Sequence, residues 1–263
     1  MDAFNYNPAV VLSLILTIMR VSIVMFMLPV FNTNNIPTLV KGAVTVVFSM
    51  AVWPALSLPD VTMPQHPFGV ALMILGEMFM GLVLGLAVNF LFMAIQAGGE
   101  LVGFQIGFTM INFADPLTGN QTGATAFFLW MVSLLVFLSL DGHLFMLKGF
   151  AASFSLIPPG GLLIGESIFT QVMQLATQIF VLALRIAAPV MVALFMIEVA
   201  LALVARTSPQ IHIMNYGFPI KIGVGFFFLG LLLLLMSEHV QQFVSGIEGL
   251  YTNLLRSMSP LWR

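Results

Sequence analysis

The side chains able to do chemistry are few: eight Lys and Arg, ten Asp and Glu, and four His in 263 residues. Asp141 and His143, in "LDGHL", stand two apart, and an imidazole beside a carboxylate can relay protons. The more ordinary use of such a pair is to cap a helix end by bonding to its backbone. Glu238 and His239 are in the wrong order to begin the H-E-x-x-H zinc motif. No G-x-S-x-G, Walker A or G-x-G-x-x-G run occurs. With no cysteine, disulfides, thiol catalysis and Cys-based metal sites are excluded. The four histidines are scattered and make no His-rich metal site. No constellation calls for an enzyme, a cofactor or a metal.

A different chemistry attaches to charges that sit within apolar runs. Arg20, Glu77, Arg185 and Glu198 are of this kind. A centred arginine costs about 2.5–3.5 kcal/mol on membrane-insertion scales, so Arg20 needs a partner. Glu77, at a comparable depth in a later apolar run, is the obvious candidate. Arg185 and Glu198 cannot satisfy one another on a single helix, where thirteen residues separate them by about 20 Å along the axis and about 220° around it. Each must find a partner on another helix or another chain.

The elements that must hold these charges follow from composition. The chain is 60% hydrophobic and only 7% charged. A water-facing surface cannot be built from so little charge, so the sequence specifies an integral membrane protein. The net charge of −2 gives no basic footprint for nucleic acid. No cleavable signal peptide is visible, and the first apolar run is expected to stay in the mature protein. Apolar blocks run over about 9–31, 38–58, 68–97, 124–140, 166–205 and 217–244, predicting about six long helices. Residues 144–157 are too short to span and read as re-entrant or interfacial. The block 166–205 would reach about 60 Å as one helix, twice the hydrocarbon thickness. Its midpoint "RIAAPV" lacks a hairpin loop, so a single rod kinked at Pro189 is expected. Lys and Arg fall equally on the two sides, so orientation is undetermined.

Two helix faces stand out. Ser167, Gln171, Gln174, Gln178 and Arg185 fall within an arc of about 60°. Lipid cannot partner that face; a helix–helix interface or a water-lined conduit can. Glu77, Gly81, Gly85, Asn89, Gln96, Gly99 and Gly103 share an arc of about 120°, and Gly99, Gly103 and Gly107 repeat the GxxxG spacing. Small residues let a second backbone approach, so a protein partner is expected along that face. The 19 methionines are either filler or a deformable seal.

Between these helices lies "GGELVGFQIGFTMINFADPLTGNQTG", residues 98 to 123, too broken to span and too greasy for a solvated loop. The run "AGGELVGFQIGFTMINFADP", with "DGHLFMLKGFAASFSLIPPGG", "ARTSPQ" and "GFPIKIGVG", resembles the flagellar biosynthesis protein FliR family and its virulence-system (SctT-like) counterparts, over nearly the whole chain. The last two of these runs hold the family-like loop residues Arg206, Pro209, Gln210, Gly217, Pro219 and Lys221. The family often has Asn soon after the Pro-Gln pair, where this chain has His212 and places Asn at 215.

The resemblance implies an all-α membrane protein of about six long, kinked hydrophobic helices with a re-entrant plug loop. It implies a likeness to a fusion of FliP-like and FliQ-like units in a helical assembly, with the whole chain as one export-gate subunit. It implies a bacterial inner-membrane location in the flagellar basal body. The implied partners are FliP-type, FliQ-type and FlhB-type gate subunits, an FlhA-type export protein, unfolded flagellar export substrates and membrane lipid. It further implies that residues 106–122 plug the pore. Phe108, Met110, Ile111 and Phe113 can dewet a narrow lumen. Asn112, Asp115 and Asn120 can satisfy local turns, beside Pro116. A rival from another class is a secondary transporter for a small solute, with Glu77, Glu198 and Asp141 with His143 as coupling groups.

Overall fold

In the computed structural model the described residues are 8–31, 36–56, 63–108, 123–161, 166–207 and 213–258. Among them the regular structure is helical. The order is α1 (Pro8–Met27), α2 (Thr38–Val52) followed by a 3-10 turn (Trp53–Leu56), α3 (Pro67–Ile106), α4 (Ala124–Ser139), α5 (Gly142–Leu156), α6 (Glu166–Thr207) and α7 (Ile213–Met258).

Among the described residues four helices are long and apolar enough to cross a membrane: α1, α3, α6 and α7. The 40, 42 and 46 residues of α3, α6 and α7 amount to about 60–70 Å of helix, twice the ~30 Å of a hydrocarbon core. Block 166–205 is one helix with Pro189 inside it. Block 38–58 is shorter than expected: α2 ends at Val52, and Pro54 lies in the 3-10 turn that follows. The segment expected to be re-entrant is the helix α5, separated from α4 by a break at Asp141, whose φ of 56° is left-handed.

Two boundaries differ more. Helix α3 continues through Gly98 and Gly99 to Ile106 instead of stopping at 97. The glycines make room there for a neighbour: a Cβ on Gly99 would lie 2.6 Å from the Ala126 Cα, and one on Gly103 3.1 Å from Thr125 Oγ1. The helix ends at Gly107, whose φ of 101° only glycine adopts readily. Helix α7 continues past 244 to Met258. Its last turns bury Val240, Val244, Ile247, Tyr251, Leu254, Leu255 and Met258, spaced three or four apart, and expose Glu238, Glu248 and Arg256. Charge on one face had hidden an amphipathic helix from a reading based on apolar runs.

The chain divides into two compact units. The first comprises Met1–Phe90, Asp141–Leu175 and Ser245–Arg263; the second comprises Leu91–Leu140 and Ala176–Val244. In the first unit, Gly81 and Gly85 of α3 bring α1 to backbone contact. A Cβ on Gly81 would sit 2.8 Å from the Arg20 carbonyl oxygen, and one on Gly85 2.6 Å from the Met27 Cβ. Helix α5 meets the end of α7 where Gly149 faces the Tyr251 ring, and the Tyr251 hydroxyl donates to the Leu84 carbonyl at 3.1 Å. In the second unit, Val102, Ile106, Ala187, Val190, Leu194 and Leu229 form a dry core from α3, α6 and α7. Phe92 and Phe137 pack edge to face there. The small-residue face of α3 therefore has partners within this chain: α1 along Gly81 and Gly85, α4 along Gly99 and Gly103.

Candidate functional site

Arg20 and Glu77 form the centre of the first unit. Arg20 is fully buried in α1, and its five N–H groups all find acceptors. Nε donates to Glu77 Oε2 at 2.5 Å and Nη2 to Glu77 Oε1 at 3.0 Å. Nη1 donates to Ser153 Oγ at 3.2 Å, and both Nη groups donate to the Ile157 carbonyl at 3.1 Å. The Phe154 ring covers the guanidinium, with its centroid 4.3 Å from Cζ. Glu77 Oε1 also accepts the Gly160 backbone N–H at 2.7 Å. The pair thus holds α1, α3, α5 and the turn after α5, where Gly160 has a φ of 81°. Fully hydrogen-bonded, the buried charges are tolerable; with one partner removed they are not. Glu77 is committed to Arg20 and Gly160.

The second unit holds the roots of the glycine-rich connector. At its N-terminal root, the Gly107 and Phe108 N–H groups donate back to the Gly103 carbonyl at 3.1 and 3.0 Å. Phe108 packs against the dry core, and its ring meets Phe226 at 5.7 Å between centroids. A Cβ on Gly107 would lie 3.0 Å from the Phe218 ring. At the C-terminal root, the Gly123 N–H donates to Glu100 Oε1 at 2.8 Å. Gly123 is the N-cap position of α4 and makes no side-chain cap; the Glu100 carboxylate from α3 instead takes the N-cap residue's own N–H, the role the N3 acid plays in a capping box. Both roots are fixed to the last two turns of α3. Met110, Ile111, Asn112, Phe113, Asp115, Pro116 and Asn120 lie outside the described residues, as do Pro209, Gln210 and His212.

The remaining candidates separate. Glu198 of α6 pairs with Lys221 of α7, both partly exposed. Gly217 is buried, whereas Pro219 and Arg206 are exposed. The polar stripe of α6 is not one surface: Gln171 accepts from the Ser257 hydroxyl at 3.2 Å, while Gln174, Gln178 and Arg185 are exposed. Ser167 belongs to α6, but its side chain is outside the described set. Asp141 occupies the N-cap position of α5, yet its carboxylate makes no cap hydrogen bond. Among the described residues His143 Nδ1 is buried without a partner, so no relay joins it to Asp141. No three His, Cys, Asp or Glu among the described residues converge as metal ligands.

Sequence reading missed Glu100 as a cap and Tyr251 as a lock. Glu100 could have been found as an acid inside a glycine-spaced face. Tyr251 could have been found from the three- and four-residue spacing of apolar residues after 240.

Helices longer than a bilayer is thick, a glycine-lined rod and a fully paired intramembrane Arg–Glu cluster define an all-α integral membrane protein. Residues 11–247 match the family described as bacterial export proteins, family 1, and the chain belongs to that family. It is 33% identical over 231 residues to the flagellar biosynthetic protein FliR of Pectobacterium carotovorum subsp. carotovorum, covering 88% of each chain. It is 27% identical over 241 residues to FliR of Escherichia coli strain K12, covering 92% of each. It is 24% identical over 206 residues to the Yop proteins translocation protein T of Yersinia pestis, covering 78% of each.

Proposed function

We propose that this chain is a non-enzymatic subunit of a flagellar type III protein export gate in the bacterial inner membrane. With FliP-type and FliQ-type subunits it forms the pore through which unfolded flagellar proteins pass, beside FlhB-type and FlhA-type components. Its relatives support the export setting: two are named for flagellar biosynthesis and one for translocation of Yop proteins.

The observation that carries the pore reading is the anchoring of the connector. Residues 109–122 leave at Gly107 and return at Gly123, and both roots are tied to the end of one helix. A segment that opens with Met110, Ile111 and Phe113, tethered at both ends beside an apolar core, suits a plug that a passing chain displaces. Irregular backbone at membrane depth is stable only against protein or a water-filled cavity. Replacing residues 109–122 by a short Gly-Ser linker in the assembled gate is expected to make the resting complex leak ions. Unchanged conductance would overturn the plug assignment.

The carrier reading is disfavoured by geometry. Glu77 is buried and already accepts three hydrogen bonds, two from Arg20 and one from Gly160, which makes it a poor coupling group.

A further inference from the structure

Within the second unit, α6 and α7 change what they expose at matching depths. Every exposed position of α7 from Tyr216 to Leu235 is aromatic, aliphatic, proline or glycine. Beyond them, Ser237, Glu238, Gln241 and Gln242 are exposed, and all are polar. The helix runs through the change without a break. On α6 the exposed positions from Phe180 to Val204 are apolar except Arg185. Exposed Thr177 and Gln178 precede that stretch, and exposed Arg206 and Thr207 follow it. The two helices share a core through Val190, Leu194 and Leu229 and are tied by Glu198 and Lys221, so they run antiparallel. Thirteen residues before Glu198 stands Arg185, and thirteen after Lys221 stands Leu234, so these two are level. By the same count Gln178 is level with Gln241.

The apolar stretch is as long as a bilayer is thick. Tyr216 to Leu235 makes about 30 Å of helix, the depth of a hydrocarbon core. The charges of both helices obey the same limits. Glu198 and Lys221, inside the stretch, are paired. Arg206 and Glu238 lie beyond its two ends. Arg185 lies at its edge, level with Leu234, where so long a side chain carries its guanidinium out to the headgroups and water. A covering protein would tolerate polar and apolar groups at any depth; lipid does not. We propose that the second unit meets acyl chains over a band from Tyr216 to Leu235 on α7 and the level stretch of α6. The lipid–water boundary then crosses α7 between Leu235 and Ser237, and the polar positions beyond it, with Thr177 and Gln178 of α6, stand in water. The inference rests on the chain being an integral membrane protein, not on the export-gate reading, and survives if the plug assignment falls.

The chain has no cysteine, so single introduced ones report without background. The test uses the full chain, with any subunits that co-purify, in lipid nanodiscs that leave both bilayer faces open, and a charged water-soluble maleimide. Ser237→Cys and Gln241→Cys are expected to react at least tenfold faster than Phe227→Cys and Val192→Cys, with all four alike after denaturation. A rate at position 241 no faster than at 227 would overturn the proposal. Slow reaction at 192 and 227 would also follow from a protein cover. Photo-cross-linking residues at these two positions, in the same complex in native membranes, separate the two causes. The expected adducts are to lipid; adducts only to protein at both positions would overturn the lipid band.

Discussion

Arg20 and Glu77 meet through two guanidinium nitrogens and both carboxylate oxygens, and one of those oxygens also accepts the Gly160 N–H. Fifty-seven residues apart in sequence, they make one buried ion pair serve as the joint of three helices and a turn.

Removing one member of that joint leaves the other charged and dry. Arg20→Ala or Glu77→Ala is expected to destabilise the chain by about 3–5 kcal/mol. Replacing both by leucine should cost less than either single change. Thermal unfolding of the detergent-solubilised protein checks the ordering, and a double variant less stable than both singles would refute it.

Glycine positions divide into crowded and open ones. A Cβ on Gly149 would lie 2.2 Å from Tyr251 Cδ2, and one on Gly99 2.6 Å from a backbone atom of Ala126. Gly149→Ala and Gly99→Ala are expected to cost about 1–3 kcal/mol through overpacking. Gly42 has nothing within 4 Å of its built Cβ. In mid-helix, Gly42→Ala should instead stabilise by about 0.5–1 kcal/mol. The same melting measurement separates them by sign.

Glu100 acts on α4 through the Gly123 N–H. Glu100→Ala removes the side-chain acceptor of the Gly123 N–H and is expected to cost about 0.5–1.5 kcal/mol, the range for one net hydrogen bond. Glu100→Gln keeps a carbonyl acceptor and should cost less. Faster amide exchange confined to the first turn of α4 in Glu100→Ala would identify the cause; uniform protection would rule it out.

Glu198 and Lys221 tie α6 to α7 on a partly exposed surface. Glu198→Ala or Lys221→Ala alone leaves an unpaired charge in an apolar setting, so each single variant should accumulate less in membranes than the double variant Glu198→Ala with Lys221→Ala. A double-mutant cycle on accumulated protein measures the coupling, and strict additivity would show that the pair contributes nothing.

Much was legible in the sequence because hydrophobicity is a local property. Too little charge for a wetted surface and apolar blocks of bilayer length pointed to an all-helical membrane protein without reference to any contact. The need of Arg20 for an acid was legible too, since an unpaired cation in hydrocarbon is costly wherever it sits. Helix ends were less so. Gly98 and Gly99 looked like a break, but close approach of α6 to Gly98 and of α4 to Gly99 turns them into contact points, and neighbours set that. The helix after 244 was hidden because only one of its faces is apolar.

The sequence by itself determined the solvent, the helical class and which charges could not be left alone. Only the tertiary structure decided who satisfies them: Glu77 for Arg20, Lys221 for Glu198, the Gly123 N–H for Glu100, and among the described residues no acid for Arg185. The physical reason is range. Partition between lipid and water is set residue by residue, whereas a hydrogen bond exists only within about 3 Å, and which groups come that close depends on how distant stretches of chain pack.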